Sequence, residues 1–146
     1  MLDAKWDERF LYLAEHVSTW SKDPSTKVGA VIADERRRVL SLGYNGFPPA
    51  VDDREELYAD RDMKLKNIVH AEMNALVLAR TDLEGATLYC SISCICDRCI
   101  GPIIRAGIRR VVVNTGNPPR GNWDASWAFS KNMATQAGVE IVSFLL

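Results

Sequence analysis

The sequence has few residues of the kinds that bind transition metals, and those few are not spread along the chain. It contains 2 histidines and 4 cysteines, and every cysteine falls between Cys90 and Cys99. A disulfide framework would distribute its cysteines so that they join distant segments, and this distribution excludes one. Cysteines clustered in a reducing compartment indicate metal binding or redox chemistry instead.

Long apolar runs and an excess of charge of either sign are also absent. No stretch approaches the ~20 apolar residues of a membrane span, and the mixed-charge N-terminus lacks the apolar core of a signal peptide. We therefore expect a cytoplasmic protein, or one in the host cytoplasm if a phage encodes it. The net charge of -1 gives no electrostatic reason to bind a nucleic-acid backbone, which favours a small-molecule substrate.

Hydrophobic periodicity predicts an alternating α/β protein that forms one domain over residues 1–146. The first helix has an apolar stripe from Trp6 to Trp20, with Asp7 largely off it. Apolar runs then predict five strands in the order α-β-β-α-β-α-β-α-β, at 28–33, 39–43, 86–92, 108–113 and 139–144. This order predicts a three-layer α-β-α fold, in which helices cover both faces of a five-stranded mixed sheet.

Two segments after the second strand lack a regular pattern. The run GYNGFPP (43–49) predicts a shaped loop at a strand end, where substrate contacts are common. Residues 52–66 are strongly charged with both signs, so we expect an exposed connection with some helix there.

One histidine and two cysteines have the spacing of a catalytic zinc site. Cys96 and Cys99 are three apart at a predicted helix start, so their side chains share a face, and the positive helix end favours thiolates. His70 and Glu72 are two apart at another helix start, so both reach one centre only if it lies beyond the helix end. Three protein ligands leave the fourth position of zinc for water. His-x-Glu combined with Cys-x-x-Cys is typical of zinc deaminases.

Each of these residues also has an ordinary structural explanation. Alone, His70 would be a helix-cap or core histidine, Glu72 a surface acid, and the cysteine pair a structural or redox motif. Their joint occurrence favours catalysis: zinc lowers the pKa of a water, Glu72 accepts its proton, and hydroxide attacks the amidine carbon of a base. We interpret Cys94 as a packed thiol rather than a fourth ligand, and Cys90 as a core residue.

Several motifs together resemble the cytidine and deoxycytidylate deaminase superfamily. They are HAEMNA (70–75), GATLY (85–89), the Cys-x-x-Cys at 96–99 and IRAGI (104–108). The loop GYNGFP (43–48) resembles that of deoxycytidylate (dCMP) deaminases in particular, and TKVGA (26–30) is similar to the opening of their first strand. The resemblance implies a cytidine deaminase-like fold, one Zn²⁺ per chain held by His70, Cys96 and Cys99, and Glu72 as proton shuttle.

The resemblance also implies an activity and partners. The activity is hydrolytic deamination of dCMP to dUMP with release of ammonia, which would supply dUMP for thymidylate synthesis. Members of the group assemble as homo-oligomers, so a hexamer or a dimer is expected, and dCTP and dTTP are expected effectors. Neither a membrane nor a nucleic acid is an expected partner.

Four residues are predicted to contact the nucleotide. Asn45 carries over from the asparagine loop by resemblance, and Ala71 lies inside the HAEMNA motif. Ser25 and Lys27, just before the first strand, are candidates for the phosphate, with Arg120 in reserve. The alternative is that Ser25 and Lys27 are an ordinary surface hydroxyl and lysine.

The chain departs from the superfamily pattern at a few positions. Ile95 stands where a proline normally precedes the first cysteine, so this helix start is expected to be less preorganised. The insert between Gly46 and His70 contains neither cysteine nor histidine, so we expect one zinc rather than two. Asn117 and Pro118 occupy a loop where many relatives have an aromatic residue, and Trp123 is the nearest aromatic that could stack on the base.

Three alternative functions stay open on the sequence alone. A tRNA adenosine deaminase shares the zinc motif but would need a basic RNA-binding surface. A deaminase of another cytosine compound, or of 5-substituted dCMP, would carry the same motif. A non-catalytic, zinc-stabilised nucleotide-binding module would have no use for Glu72.

Overall fold

Six helices and five strands make up the part of the chain that the computed structural model describes, residues 4–146. Residues 1–3, the start of the N-terminal segment considered above for a signal peptide, lie outside it. In chain order the elements are α1 (Ala4–Ser18), β1 (Gly29–Ala33), β2 (Val39–Tyr44), α2 (Glu55–Ala59), α3 (Arg61–Asn67), α4 (Ala71–Leu78), β3 (Thr87–Cys90), α5 (Ile100–Arg105), β4 (Arg110–Asn114), α6 (Asp124–Ala137) and β5 (Glu140–Phe144). Within 4–146, no helix combines the length and apolar character needed to cross a bilayer.

The five strands form one mixed sheet in the order β2-β1-β3-β4-β5. β1 is antiparallel to both of its neighbours, whereas β3, β4 and β5 are parallel to one another. Every residue of β1 and β3 is buried, as expected for central strands covered on both faces. The parallel strands are joined through α5 and α6, because parallel neighbours need long crossover connections. The predicted five-stranded mixed sheet is confirmed.

α1 covers one face of the sheet, although not with the whole of the predicted stripe. Three of its buried apolar residues form a cluster with alternate residues of β1, β3 and β4, and the members are Phe10, Leu11, Ala14, Val31, Ala33, Tyr89 and Val112. Trp20 was expected on the stripe, but α1 ends at Ser18 and Trp20 is 48% exposed. The stripe therefore shortens by one turn.

Asp7 is buried, so the prediction that it lies largely off the buried stripe is wrong. Its carboxylate accepts hydrogen bonds from Tyr89 Oη (3.0 Å) and Arg110 Nη1 (2.7 Å). A buried carboxylate requires such partners, because taking an unpaired charge out of water is costly. These partners lie on β3 and β4, and the apolar pattern within the α1 sequence contains no trace of them.

α4, α5 and α6 cover the opposite face. Their buried residues join the other alternate residues of the strands in a second, larger cluster, which includes Ala30, Ile32, Ala71, Ala75, Leu88, Ile95, Ile100, Ile103, Val111, Val113 and Ala134. Helices on both faces of one sheet confirm the predicted three-layer α-β-α arrangement.

Two helices begin later than predicted. The helix expected from His70 spans Ala71–Leu78, with His70 as its N-cap. The helix expected from about Cys96 begins at Ile100, and Cys99 is its N-cap. Pro102 explains the second difference, because it has no N–H to donate to the carbonyl four residues earlier and belongs in a first turn. The charged stretch contains two short helices, α2 and α3, in agreement with the expectation of some helix.

Two glycines allow helices to approach the sheet very closely. A Cβ atom on Gly29 would lie 1.9 Å from the carbonyl oxygen of Ala14 in α1. A Cβ on Gly43 would lie 2.4 Å from the carbonyl oxygen of Ala71 and 2.4 Å from the nitrogen of Ala75, both in α4. Only glycine fits at these distances. The contact at Gly43 holds the start of α4, and with it the HAEMNA motif, against β2.

Candidate active site

His70, Cys96 and Cys99 converge on one point from two separate segments. The Nδ1 atom of His70 lies 3.3 Å from each sulfur, and the two sulfurs lie 3.3 Å apart. Their ligand atoms all fall within 4.8 Å of one another, which is close enough to bind a single ion. An imidazole nitrogen and two thiolates are typical zinc ligands, and three of them leave an open position. The residues present therefore fit one catalytic zinc ion.

The turn that carries the two cysteines is held in place from several sides. The backbone N–H of Cys99 donates to the carbonyl of Cys96 (3.1 Å), and that of Asp97 donates to Ser126 Oγ in α6 (2.9 Å). Ile95, which stands in place of the usual proline, is fully buried in the core. Side-chain burial and the Ser126 contact thus restrain the segment that a proline ring would otherwise restrain.

Hydrogen bonds within this group favour a thiolate at Cys96. The bond from Cys99, together with the contact to His70, lowers the pKa of Cys96 to about 4 despite burial. The same bond, together with burial, raises the pKa of Cys99, and the contact with Cys96 raises the pKa of His70. The proton shared by the two sulfurs is the one that zinc displaces, because zinc binds thiolates.

Glu72 lies beside the three ligands without being one of them. It belongs to the first turn of α4 and is 4% exposed. Burial raises the pKa of its carboxyl group, and the nearby His70 opposes that shift. An acid of raised pKa beside a metal position can take a proton from a water and return it later.

A cavity of about 430 Å³ opens beside the ligand group, a volume within the usual range for small-molecule sites. Its lining includes His70, Ala71, Glu72 and Cys96. The other lining residues come from five further segments and are Asp23, Ser25, Thr26, Val28, Asn45, Arg61, Lys64, Leu65, Ile68, Ile92, Cys94, Pro119, Arg120 and Trp123. Two of the metal-ligand candidates and Glu72 therefore form part of the cavity wall.

Most residues predicted to contact the substrate are brought to this cavity. Its lining includes Ser25, Asn45 and Ala71, together with the reserve candidate Arg120 and the aromatic Trp123. Lys27 does not line it, and its ammonium group donates to the carbonyl oxygen of Ser21.

Asn45 connects several parts of the cavity wall. Its Oδ1 accepts a hydrogen bond from the N–H of Val28 (2.8 Å), and its Nδ2 donates to the carbonyl oxygen of Thr26 (2.9 Å). Its own carbonyl accepts from the hydroxyl of Ser21 (2.8 Å). These bonds give Asn45 a structural role that its motif did not reveal. Its contact with the nucleotide stays a prediction.

Sequence reasoning missed two cationic residues of the lining, Arg61 and Lys64 in α3. The Nζ atom of Lys64 lies 2.7 Å from the Asp23 carboxylate and 3.0 Å from Ser25 Oγ. Burial acts to raise the pKa of Asp23, but hydrogen bonds from Lys64 and from backbone N–H groups outweigh it and lower that pKa. Both cations belong to the mixed-charge stretch 52–66, where nothing in the sequence separates a cavity-facing charge from a solvated one.

The fold and the site together define a class of protein. A three-layer sheet carries a histidine and an acid at the start of one helix and two cysteines just before the next. This arrangement supplies three ligands, an acid that is free to move protons and a cavity for a base, the requirements of a zinc-dependent deaminase.

The chain belongs to the cytidine and deoxycytidylate deaminase family. The family model described as the cytidine and deoxycytidylate deaminase zinc-binding region matches residues 4–115. The matched range contains the three ligand residues and Glu72. The protein is therefore a hydrolytic deaminase with a zinc-binding site.

Several known proteins are similar over most of the chain. An uncharacterized deaminase from the luxG 3' region of Aliivibrio fischeri is 39% identical over 139 residues, which are 94% of this chain and 92% of that protein. Human deoxycytidylate deaminase is 33% identical over 114 residues, 74% of this chain and 64% of the human protein. The apo crystal structure of dCMP deaminase from the cyanophage S-TIM5 has a TM-score of 0.76 and 25% identity, and the match covers 98% of this chain and 100% of that one.

Proposed function

We propose that this chain converts dCMP to dUMP by hydrolytic deamination with release of ammonia. The observation that carries the proposal is the position of Glu72, a buried carboxyl group beside the His-Cys-Cys group that also lines a nucleotide-sized cavity. A purely structural zinc site has no use for such an acid. Similarity to deoxycytidylate deaminases of human and cyanophage origin supports dCMP as the substrate.

Glu72 moves the protons in the proposed reaction. Zinc, when held by His70, Cys96 and Cys99, supplies the Lewis acidity that lowers the pKa of a water. Glu72 accepts a proton from that water, and the water oxygen adds to C4 of the cytosine ring. Glu72 passes the proton to ring nitrogen N3. Glu72 then transfers the second proton of the water to the amino group at C4, which leaves as ammonia. Burial, which raises the pKa of Glu72, favours this exchange.

The proposed contacts with the nucleotide are the lining residues Ser25, Asn45 and Ala71. Trp123 is held in the cavity wall by a hydrogen bond from its indole N–H to the carbonyl of Arg120 (2.8 Å), and its ring is proposed to stack on the base. Lys27 stays a prediction based on its place before β1.

We also propose that the protein forms a homo-oligomer, a hexamer or a dimer. Val77 and Leu78, at the end of α4, are 71% and 60% exposed, as apolar residues of a subunit contact would be in an isolated chain. Sedimentation equilibrium would give the number of subunits. Regulation by dCTP and dTTP and a cytoplasmic location stay predictions.

An ammonia-release assay with zinc-loaded protein tests the activity. The substrates are dCMP, 5-substituted dCMP, dCTP, deoxycytidine and a tRNA anticodon stem. We expect the highest kcat/KM with dCMP. A preference for the tRNA stem would favour an adenosine deaminase instead, and no turnover of any cytosine compound would contradict the proposal.

Glu72→Ala separates catalysis from metal binding. Because Glu72 is not a ligand, we expect unchanged zinc content and a loss of turnover of about 10²- to 10⁴-fold, the usual contribution of general acid–base catalysis. Glu15→Ala, on the exposed side of α1, is the matched control and should retain full activity. Full residual activity of Glu72→Ala would remove the acid from the mechanism.

A further inference from the structure

Two cationic side chains of α3, Arg61 and Lys64, line the same cavity as Glu72. They lie three residues apart on one helix, so their side chains project from the same face. Lys66, two residues beyond Lys64, is absent from the lining. It is exposed and pairs with Asp62 at 3.2 Å. α3 therefore presents cations to the cavity on one side and to solvent on the other.

Lys64 is fixed in position yet retains capacity for a ligand. Its ammonium group donates to Asp23 and to Ser25, and its side chain is 22% exposed. An ammonium has three N–H donors, so one is still available for an anion in the cavity. Ser25, which accepts from Lys64, lines the cavity as well.

Asp23, the carboxylate that pairs with Lys64, is fully engaged by the protein. Asp23 Oδ1 accepts hydrogen bonds from the backbone and hydroxyl of Ser25, both at 3.0 Å, and Oδ2 accepts from Lys64 and from Asn45. Its side chain is 1% exposed. The negative charge of Asp23 is thus compensated, and it does not cancel the attraction of the other cations for an anion.

Arg61 supplies a charge that has no competing partner. It is exposed, and within residues 4–146 it forms no ion pair. Arg120, from the loop before α6, lines the same cavity and is also exposed. Arginine side chains bind phosphate through two parallel N–H donors, and a lysine supports them as a point charge.

We propose that Arg61 and Lys64 bind the 5′-phosphate of the substrate, so that α3 selects nucleoside monophosphates over uncharged nucleosides. This inference rests on the proposed deamination of a cytosine nucleotide and identifies the residues that recognise its anionic end. The sequence prediction assigned the phosphate to Lys27, whereas this inference assigns it to Arg61 and Lys64. Lys27 does not line the cavity, and its ammonium group donates to the Ser21 carbonyl.

The test compares dCMP with deoxycytidine, which differ only in the phosphate. Zinc-loaded wild type, Arg61→Gln, Lys64→Gln and Lys66→Gln are assayed for kcat/KM on both substrates. We expect the first two variants to lose about 10- to 100-fold on dCMP, mainly through KM, the effect of one charge-assisted hydrogen bond. Activity on deoxycytidine should change by less than about threefold. Lys66→Gln is the matched control on the same helix and should equal wild type on both substrates.

A second set of variants distinguishes phosphate binding from misfolding. Lys64→Gln leaves Asp23 without its ammonium partner, so Lys64→Arg, which keeps the charge, should recover most of the activity on dCMP. Arg61→Gln breaks no ion pair within residues 4–146, so its loss cannot come from a disrupted internal bond. Equal losses on dCMP and deoxycytidine in both variants would overturn the inference. The inference would also be overturned if Arg61→Gln and Lys64→Gln behaved like wild type while Lys27→Gln lost activity on dCMP alone.

Binding measurements test phosphate recognition by Arg61 independently of catalytic turnover. Inorganic phosphate should inhibit dCMP deamination by wild type more strongly than that by Arg61→Gln. Calorimetric titration of dCMP and deoxycytidine into Glu72→Ala, and into the double variant Glu72→Ala/Arg61→Gln, should show the same preference, because neither protein turns the substrate over at an appreciable rate. If no cytosine compound is deaminated, the proposed function fails. The titration then still decides whether Arg61 recognises phosphate, and equal dCMP affinity in the single and the double variant would overturn that.

Discussion

Cys94 lies two residues before Cys96 but does not belong to the ligand group. It lines the cavity, and burial raises its pKa to about 11, so it is a neutral thiol at neutral pH. Cys96, two residues later, has a lowered pKa and belongs to the His70 group. Two neighbouring cysteines thus differ in charge because only one of them receives hydrogen bonds from the group.

Cys94→Ala and Cys99→Ala should differ in metal content. We expect Cys94→Ala to retain about one zinc per chain after dialysis, and Cys99→Ala to lose most of it, because two ligands hold zinc far more weakly than three. Atomic emission spectroscopy of the purified variants measures this directly. Zinc loss in Cys94→Ala would make Cys94 a fourth ligand.

At the residue scale, the sequence predicted the residues whose partners are close along the chain. His70 with Glu72 and Cys96 with Cys99 each form a short motif, so their chemistry could be recognised before the fold. Lys64 acquires its place through Ser25, 39 positions away, and Asp7 through Tyr89, 82 positions away. No periodicity within one segment encodes such pairs.

At the scale of elements, the contact between α1 and β1 depends on the absence of a side chain. Gly29 opens β1 directly beneath the α1 backbone, and a Cβ there would lie 1.9 Å from a carbonyl oxygen. A backbone carbonyl cannot rotate away as a flexible side chain can. α1 would have to move outward as a unit, and its buried apolar residues would lose contact with the sheet.

Gly29→Ala is therefore expected to destabilise the protein by roughly 1–3 kcal/mol or more, the usual cost of overpacking. Gly101→Ala is the matched control, because a Cβ there meets nothing within 4 Å. In the helix α5 the control should be neutral or stabilising by about 0.5–1 kcal/mol. Urea unfolding of the zinc-loaded variants gives both values. Equal stability of Gly29→Ala and wild type would contradict the close approach.

The predicted bounds of strands and helices were accurate where a single sequence pattern determined them, and wrong where two patterns conflicted. The strands were found within about two residues, because buried strands read as short apolar runs. The helix that contains Pro102, α5, was predicted to begin too early, because the cysteine spacing suggested a helix from Cys96 and proline, which lacks an N–H, belongs in a first turn. α2 and α3 were foreseen only as some helix, since mixed charges without an apolar stripe give no boundary.

At the scale of the whole molecule, the zinc site joins two segments that lie 26 positions apart along the chain. His70 caps α4, and Cys96 and Cys99 lie on the turn before α5. Bound zinc therefore connects the two helices. An ion that binds only the folded state adds to its stability by mass action.

Removal of zinc should lower the melting temperature as well as abolish activity. Free zinc at 1,000 times its Kd adds about 4.1 kcal/mol, which for a chain of this size corresponds to roughly 13 °C. Differential scanning calorimetry with and without a chelator measures the shift. Cys99→Ala serves as control, since a chain that has lost most of its zinc should show a much smaller shift between the two conditions. An unchanged wild-type melting temperature would mean that the ion does not hold the two helices together.

The glycine at position 43 has a mechanical consequence for the metal centre. Side chains between packed elements can adjust by changing rotamer. At Gly43 the backbones of α4 and β2 are in direct contact, with no side chain between them that could adjust. His70, at the tip of α4, is therefore coupled stiffly to the sheet. The cysteines lie on a turn outside regular structure. Hydrogen bonds and the buried Ile95 restrain that turn instead, so we expect the histidine to keep its position relative to the sheet when the ion binds or leaves.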